Sequence, residues 1–415
     1  MTRTPQPLDG IKVIDLGTVM MTPIAARILA DLGADVIKIE SPRGDMLRFT
    51  PGNEGRPSDP HEDTTWDMDN AGKRGLALNL KTPAGKEVLM RLIDSADVFI
   101  TNWRQDALAR AGLDYDTLKT DHPKLVYAQA SGYGLKGPDK DLPGFDFTAY
   151  LARGGVAQAL AEKGQPPINS VPGFGDHQAG GYLAAGILAA LYQAARTGLG
   201  DHVTTSLIAA SIWAQQTLLV SSQYGVLSYP VHRRDTANPL LQSYRTSDER
   251  YIQFCAPDYN SAIGKVLGCL GRADLSEDPA YTNIHQVKLA PQVVYDMIWD
   301  SLKTKNLAEW TAIFTAADVP FAPAQLWNEV LEDEQLWAND YFHAMDYPTG
   351  ATRTLVRIPF QLAEAGLPEY RHGPYLGEHS DAILAELGYS ESEREAMHAD
   401  GAYVTWDDVR DQWEK

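Results

Sequence analysis

The sequence predicts an α/β fold: a large domain built on a doubly wound parallel sheet, with a smaller α+β domain. Three observations support this prediction. Short apolar runs alternate with helical patterns in the first half of the chain, glycine or proline separates many of them, and a polar stretch follows near the middle. Short strands that alternate with helices imply a parallel sheet covered by helices on both faces.

A βαβ unit opens the chain. Residues 11–16 and 36–39 are apolar runs, and residues 25–32 between them have helical spacing that ends at Gly33. The loop at residues 17–22 lacks the GxGxxG pattern of dinucleotide-binding folds. This absence argues against an NAD or FAD oxidoreductase.

The same alternation continues along the chain. Thr82 and Pro83 suit the cap and first turn of a helix, and residues 88–93 supply its apolar face. Residues 98–100 and 125–128 are the next predicted strands. The pattern therefore predicts a sheet of several parallel strands.

In the second half of the chain, the sequence pattern predicts more helices than strands. The predicted helices cover residues 175–195, 207–220, 293–302, 307–317 and 380–387. The predicted strands lie near residues 202–205, 251–255 and 356–360. With a polar linker at residues 224–238, this predicts a discontinuous large domain of residues 1–223 and 340–415, and a small domain of residues 224–339.

Composition excludes several classes of protein. The chain has 415 residues, 44% of them hydrophobic, and a net charge of -19, because 55 acidic residues outnumber 36 basic ones. Such a surface does not suit a nucleic-acid partner. Cys255 and Cys269 are the only cysteines and form no CxxC pattern, so we expect neither a disulfide framework nor a metal site. Without a signal peptide or a membrane-length apolar run, the sequence predicts a cytoplasmic protein with no membrane partner.

Asp176 is the main candidate for chemistry. Glycines surround it at positions 173, 175, 180 and 181, and glycine permits close approach of a bulky ligand to the backbone. An aspartate at a helix start is also a common cap. The local sequence leaves both roles open.

Several segments in consistent order carry a resemblance to a known family. They are PLDGIKVIDLGTVMMTPIAARILADLGADVIKIESPRGD, KRGLALNLKTPAGKEVL, NWRQDALARAGLDYDTL, SGYGLKGPDKDLPGFD, GDHQAGGYLAAGILAAL and LGEHSDAILAELG. Together they resemble the class III CoA-transferases, a family that includes formyl-CoA transferase, carnitine CoA-transferase and, as divergent relatives, the α-methylacyl-CoA racemases.

The resemblance implies a chemistry and an assembly. Asp176 would be the nucleophile, forming a mixed anhydride with the acyl group of a donor thioester and then an aspartyl-CoA thioester. Coenzyme A would be a substrate, with no permanently bound cofactor. The family architecture also implies an interlocked homodimer.

The resemblance further implies a CoA site. Its candidate residues are Val19, Met20, Leu78, Lys81, Asn102, Trp103, Arg104, Ala107 and Arg110. Some relatives place an arginine where Ser41 follows Glu40, and Arg43 or Arg48 could substitute for it. Without the resemblance, Lys81 and Arg110 would be interpreted as solvated surface charges.

An α-methylacyl-CoA racemase is the alternative on the same fold. The resemblance puts Asp146 near the active site as a residue that orients the substrate, and Phe145 beside it. The racemases place a histidine where this chain has Phe145, so the second base needed to invert a stereocentre is missing. Taken by itself, Asp146 would cap a turn or a helix. His177 is a weaker candidate for acid–base work.

The acids exchanged are not specified by the motifs. Met20 and Met21 make the first loop apolar, which favours a bulky, apolar acyl group, although methionines also fill ordinary cores.

Overall fold

The computed structural model describes residues 6–56, 59–225, 229–366 and 370–413. Residues 226–228 of the predicted linker lie outside the described residues. The strands are β1 Lys12–Leu16, β2 Asp35–Glu40, β3 Arg74–Leu78, β4 Val98–Thr101, β5 Val126–Ser131, β6 His202–Ser206, β7 Ser243–Arg245, β8 Tyr251–Phe254, β9 Phe321–Pro323, β10 Phe342–Asp346, β11 Thr352–Val356 and β12 Tyr403–Val404.

The helices of the first half are α1 Met21–Asp31, α2 Thr64–Asn70, α3 Pro83–Asp94, α4 Gln105–Ala111, α5 Tyr115–Asp121, a π-helical segment Asp146–Arg153, α6 Val156–Ala159, α7 Phe174–Thr197, α8 Leu207–Ala214 and α9 Gln216–Ser221. Those of the second half are α10 Tyr259–Cys269, α11 Pro279–Thr282, α12 Ile284–Val287, α13 Pro291–Leu302, α14 Leu307–Ala316, α15 Trp327–Glu332, α16 Glu334–Ala338, α17 Ser380–Glu386, α18 Glu391–Ala399 and α19 Trp406–Trp413.

The main sheet has seven strands in the order β12-β3-β2-β1-β4-β5-β6. Strands β1 to β6 run parallel, and β12 pairs antiparallel with β3 at one edge. Their side chains are almost entirely buried from β1 to β5, because helices cover both faces. The predicted α/β class is confirmed. The chain order reverses between β1 and β4, and ligands of such sheets bind at the carboxyl ends of strands beside this reversal.

The contacts divide the chain into two units. The first comprises Met1–Val156, Asn169–Leu219 and Glu334–Lys415, and the second comprises Ala157–Ile168 and Val220–Asp333. The second unit has its own antiparallel sheet, β7-β8-β9, and its own apolar core, which includes Trp310 and Phe314. Residues 157–168, expected in the large domain, pack with this second unit instead.

Two predicted elements differ from the structure. The predicted helix at residues 207–220 is interrupted at Gln215, which separates α8 from α9. The strand predicted at residues 356–360 is wrong: β11 ends at Val356 and pairs with β10 in a two-stranded sheet. The short β12 makes the carboxyl-terminal contribution to the main sheet instead.

Helix α7 packs tightly against α1. A Cβ atom added at Gly180 would lie 2.6 Å from the Met21 carbonyl oxygen and 2.8 Å from Ile24 Cγ2, so only glycine permits this approach. The close packing brings the amino-terminal end of α7 to the loop that follows β1.

Candidate active site

Asp176 lies in the first turn of α7, not at its cap. The helix begins at Phe174, and the cap position is Gly173, whose φ of 80° favours glycine. The capping role that the sequence left open therefore falls to another residue. The Asp176 side chain is mostly shielded from water. Burial and repulsion from the Asp146 carboxylate raise its pKa to about 7, and His177 acts in the opposite direction.

Asp146, from an earlier segment of the chain, caps the amino-terminal end of α7. It opens the π-helical segment, and its Oδ1 accepts a hydrogen bond of 2.9 Å from the Gly175 amide. A Cβ atom at Gly175 would lie 2.5 Å from that oxygen and 2.3 Å from Tyr150 Cγ. Asp146 is 6% exposed, and burial raises its pKa despite these backbone hydrogen bonds. Phe145, by contrast, is 55% exposed.

His177 and Asp69 complete the group of titratable side chains at this end of α7. The His177 Nδ1–H donates to the Gly173 carbonyl at 2.8 Å, since a carbonyl only accepts. His177 Nε2 lies 3.7 Å from Asp69 Oδ1. Sequence reasoning missed Asp69, because nothing in the run WDMDN distinguishes a buried carboxyl from a solvated one.

The loop after β1 is held by side chains from neighbouring strand ends. Val19 has a φ of 65°, an unfavourable conformation for a β-branched residue, and its amide donates to Asp45 Oδ1 at 3.0 Å. The Asn102 side chain accepts from the Thr18 amide at 3.0 Å and donates to its carbonyl at 2.8 Å. Strained backbone maintained in this way is typical of functional loops.

Met20 links this loop to α7. It is 9% exposed, and a Cβ atom added at Gly173 would lie 2.7 Å from its sulfur atom. Met20 therefore lies against the helix turn that carries Asp176.

A cleft of about 840 Å³ opens at the carboxyl ends of β1 to β4. Five predicted CoA-site residues line it: Leu78, Lys81, Trp103, Ala107 and Arg110. Arg43 and Lys86 add two further cations, of which Lys86 was not predicted. The other four predicted residues, Val19, Met20, Asn102 and Arg104, are not among the residues that line this cleft.

The cations of the cleft differ in how they are engaged. Arg110 is exposed and pairs with Asp106 at 2.7 Å, one turn earlier on α4. Arg48, which was one candidate for an additional phosphate contact, is buried against Glu40 at 2.7 Å. It is therefore committed to the fold, and Arg43 is the one of the two that lines the cleft.

Among the described residues, no cluster of three or more histidine, cysteine, aspartate or glutamate side chains could hold a metal ion. Within the same part of the chain, no helix has the length and apolar character needed to cross a membrane.

Comparison with known proteins shows the family to which the chain belongs. The chain belongs to CoA-transferase family III, and the model of this family matches residues 8–380. It is 49% identical over 395 residues to cinnamoyl-CoA:phenyllactate CoA-transferase of Clostridium sporogenes, covering 94% of this chain and 96% of that protein. It is 40% identical over 384 residues to (R)-2-hydroxy-4-methylpentanoate CoA-transferase of Clostridioides difficile, covering 92% and 96%.

Solved structures agree with this assignment. A CAIB/BAIF family protein from Brucella suis superimposes with a TM-score of 0.80 at 29% identity, covering 92% of this chain and all of that chain. Rv3272 from Mycobacterium tuberculosis gives a TM-score of 0.78 at 26% identity, covering 91% and 99%. CoA-transferase relatives at 40–49% identity do not favour the racemase alternative.

Proposed function

We propose that this protein transfers CoA from an acyl-CoA donor to a carboxylic acid through covalent intermediates on Asp176. The observation that carries the proposal is the placement of Asp176. This shielded carboxylate lies in the first turn of α7, beside the loop that contains Met20, and its pKa is raised to about 7. A carboxylate whose pKa is close to neutral is a stronger nucleophile than an ordinary aspartate and is still substantially ionised.

The proposed reaction runs through two kinds of intermediate. Asp176 attacks the donor thioester, forming a mixed anhydride and releasing CoA thiolate. The thiolate then attacks the aspartyl carbonyl, which gives an aspartyl-CoA thioester and frees the donor acid. An acceptor carboxylate attacks this thioester, and the released thiolate resolves the second anhydride at the acceptor carbonyl. Each step exchanges one carboxylate or thiolate for another, so no net proton transfer is needed.

We propose an acid with a bulky, apolar side chain as substrate. The two relatives have phenyllactate and 2-hydroxy-4-methylpentanoate in their names, both of which are 2-hydroxy acids with large apolar groups. Met20, packed against the α7 turn, supports an apolar acyl pocket here. Cinnamoyl-CoA and phenyllactate are therefore the first donor and acceptor to assay.

The test of the mechanism is an Asp176 variant. D176A and D176N should abolish CoA transfer from cinnamoyl-CoA to phenyllactate, and only the wild type should form a hydroxylamine-sensitive adduct on this residue. D94N is the matched control, since Asp94 is an exposed carboxylate at the end of α3 that pairs with His122 and is not among the residues that line the cleft. Near-normal turnover by D176A would contradict the mechanism.

We propose that the cleft beside β1 to β4 binds the nucleotide part of CoA. Its cations Arg43, Lys81, Lys86 and Arg110 offer charge-assisted hydrogen bonds to phosphate on an otherwise acidic protein. K81A and R110A should each weaken CoA binding roughly tenfold or more, measured by calorimetry. R91A is a matched control, because Arg91 also pairs with an acid one turn earlier on an exposed helix surface. Unchanged affinity in both cleft variants would place the phosphates elsewhere.

We also propose that the protein is a homodimer, interlocked as the family resemblance implies. Helices α8 and α9 expose Ile212, Trp213 and Leu218, a surface that water contact alone does not favour. Interlocked chains couple folding to association, so a folded monomer should be scarce on dilution. A monomeric mass in light scattering of the diluted protein, together with retained CoA transfer in the same sample, would contradict this arrangement.

A further inference from the structure

Asp69, near the end of α2, carries a buried carboxyl group. It is 1% exposed, and neither of its side-chain oxygens has a hydrogen-bond partner in the part of the chain that the structure describes. An unpaired carboxylate in such surroundings is so costly that the group takes up a proton instead. Within the described residues, the other buried aspartate of this helix, Asp67, is hydrogen-bonded to Tyr347 and Gly373.

Lys73, the cation that attracts Asp69 most strongly, donates its hydrogen bonds to other groups. Lys73 Nζ donates to Asp15 Oδ2 at 2.9 Å, to the Pro23 carbonyl at 2.8 Å and to Asn70 Oδ1 at 2.9 Å. An ammonium group has three N–H donors. All three are therefore used, and none remains for Asp69.

Two further cations, Arg27 and Lys38, attract Asp69 more weakly than Lys73 does. Arg27 of α1 donates through Nε to Asp31 at 2.9 Å and through Nη1 to the Met68 carbonyl at 2.6 Å. Lys38 of β2 donates to Asp45 at 3.0 Å, and Asp45 itself repels a charge on Asp69. Neither cation forms a hydrogen bond to the buried carboxyl group.

His177 is the polar neighbour that Asp69 faces on α7. Because its Nδ1–H donates to the Gly173 carbonyl, a neutral His177 has an acceptor lone pair on Nε2, the atom 3.7 Å from Asp69 Oδ1. A protonated Asp69 is the matching donor. A shift of less than about 1 Å by the half-exposed imidazole brings the two groups to hydrogen-bond distance.

We propose that Asp69 is a positioning residue of this active site, which carries a proton in the active enzyme and donates it in a hydrogen bond to His177. The inference rests on the proposed function but concerns a residue that the transfer chemistry does not use. Burial raises the pKa of Asp69 to about 8, against the attraction of Lys73, Arg27 and Lys38. Once ionised, Asp69 would add a negative charge facing Asp176 and the incoming substrate carboxylate.

The pH profile of CoA transfer from cinnamoyl-CoA to phenyllactate tests this proposal. For the wild type we expect an acid limb near about 7 from Asp176 and an alkaline limb near about 8 from Asp69, as apparent values of a coupled group. D69N, scaled to its own maximum, should retain the acid limb and lose the alkaline limb. D67N is the matched control on the same helix and should retain both limbs.

The opposite result would reassign the alkaline limb. Burial also lowers the pKa of Lys73 to about 8, so its deprotonation would produce a similar limb. An alkaline limb that persists unchanged in D69N would therefore belong to Lys73 and would overturn the proposal for Asp69.

D69L separates positioning from charge. Leucine has the same number and branching of side-chain heavy atoms as asparagine and no charge, but it cannot donate a hydrogen bond to His177. We expect kcat to be roughly tenfold lower in D69L than in D69N, the effect of one hydrogen bond, with the alkaline limb absent from both. Equal kcat values would show that Asp69 does not act through His177.

Infrared difference spectroscopy tests the proton without an assay of transfer. A carbonyl band of a protonated carboxyl group should be present in wild type and missing in D69N at neutral pH, and should disappear above about pH 8. Absence of this band at neutral pH would overturn the proposal. If D176A retained activity while the band was present, the transfer mechanism would fail and the protonated Asp69 would stand.

Discussion

Asp15 in β1 and Asp69 in α2 are both fully buried near the same lysine, but they have opposite properties. Asp15 receives hydrogen bonds from Lys73 at 2.9 Å and from the Gly17 amide at 3.0 Å. Burial alone would raise its pKa, but the attraction of Lys73 and Lys38 keeps the pKa below its ordinary value. Asp69 has no such partner, and its pKa rises to about 8.

The difference shows how burial has two outcomes for one residue type. A buried carboxylate that is paired and hydrogen-bonded stays charged and holds elements together, as Asp15 does between β1 and the residue that precedes β3. A buried carboxyl group without a partner keeps its proton and can respond to the charge of a substrate. Asp15, the paired carboxylate, supports the loop after β1. Asp69, the unpaired one, belongs to α2 and faces His177 at the start of α7.

Breaking the ion pair between Asp15 and Lys73 should have the largest effect on the free energy of unfolding. K73M removes three hydrogen bonds from Lys73 and leaves Asp15 buried without its main cation. Losing one partner of a buried ion pair typically costs about 3–5 kcal/mol of the free energy of unfolding. We expect a loss of this size for K73M, measured by urea denaturation followed by tryptophan fluorescence.

The double variant D15N/K73M is the control for this prediction. It removes the charge that K73M leaves unpaired, so it should be more stable than K73M alone. A K73M protein less than about 1 kcal/mol below wild type would place the Asp15–Lys73 pair among the weak surface pairs instead.

The fold was largely predictable because its signals are local. The runs that became β1, β2 and β4 are mainly apolar, although β1 and β2 contain charged residues such as Asp15 and Lys38, and Thr82 accepts from the Gly85 amide as a helix cap should. The edge strand β12 has only two residues, too few for a pattern. The interruption at Gln215 escaped prediction because residues on both sides share one helical pattern.

The active site was predictable only in part. Asp176 and the cleft residues Lys81 and Arg110 were identified by motif, because consecutive residues carry that signal. Asp69 was missed because its burial depends on α1, α2 and α7 meeting in space. Asp146 was expected near a turn or helix cap, but the helix that it caps begins 28 residues later, which no local pattern predicts.

Replacing Asp69 by asparagine should change how the free energy of unfolding depends on pH. Between about pH 4 and about 8, native Asp69 binds a proton that the unfolded chain does not, so this group lowers stability by at most about 1.4 kcal/mol for each unit of pH rise. D69N abolishes this dependence. The stability of D69N relative to wild type should therefore increase with pH in this range and level off above it, measured by urea denaturation at several pH values. A constant difference would mean that Asp69 is ionised in the native state.

The smallest expected effect concerns Asp146, which combines both behaviours. Its Oδ1 accepts a hydrogen bond from the Gly175 amide, while its Oδ2 has no hydrogen-bond partner among the described residues. D146N keeps an oxygen to accept the Gly175 hydrogen bond but removes the charge, and this charge is the second cause, after burial, of the raised pKa of Asp176. The acid limb of CoA transfer should therefore move to lower pH by less than about one unit. D146A is the comparison variant, because it also loses the cap and should lower the free energy of unfolding by about 0.5–2 kcal/mol. If D146N leaves the acid limb in place while D146A lowers stability, Asp146 acts on Asp176 only by holding the start of α7, and the charge of Asp146 does not set the protonation of Asp176.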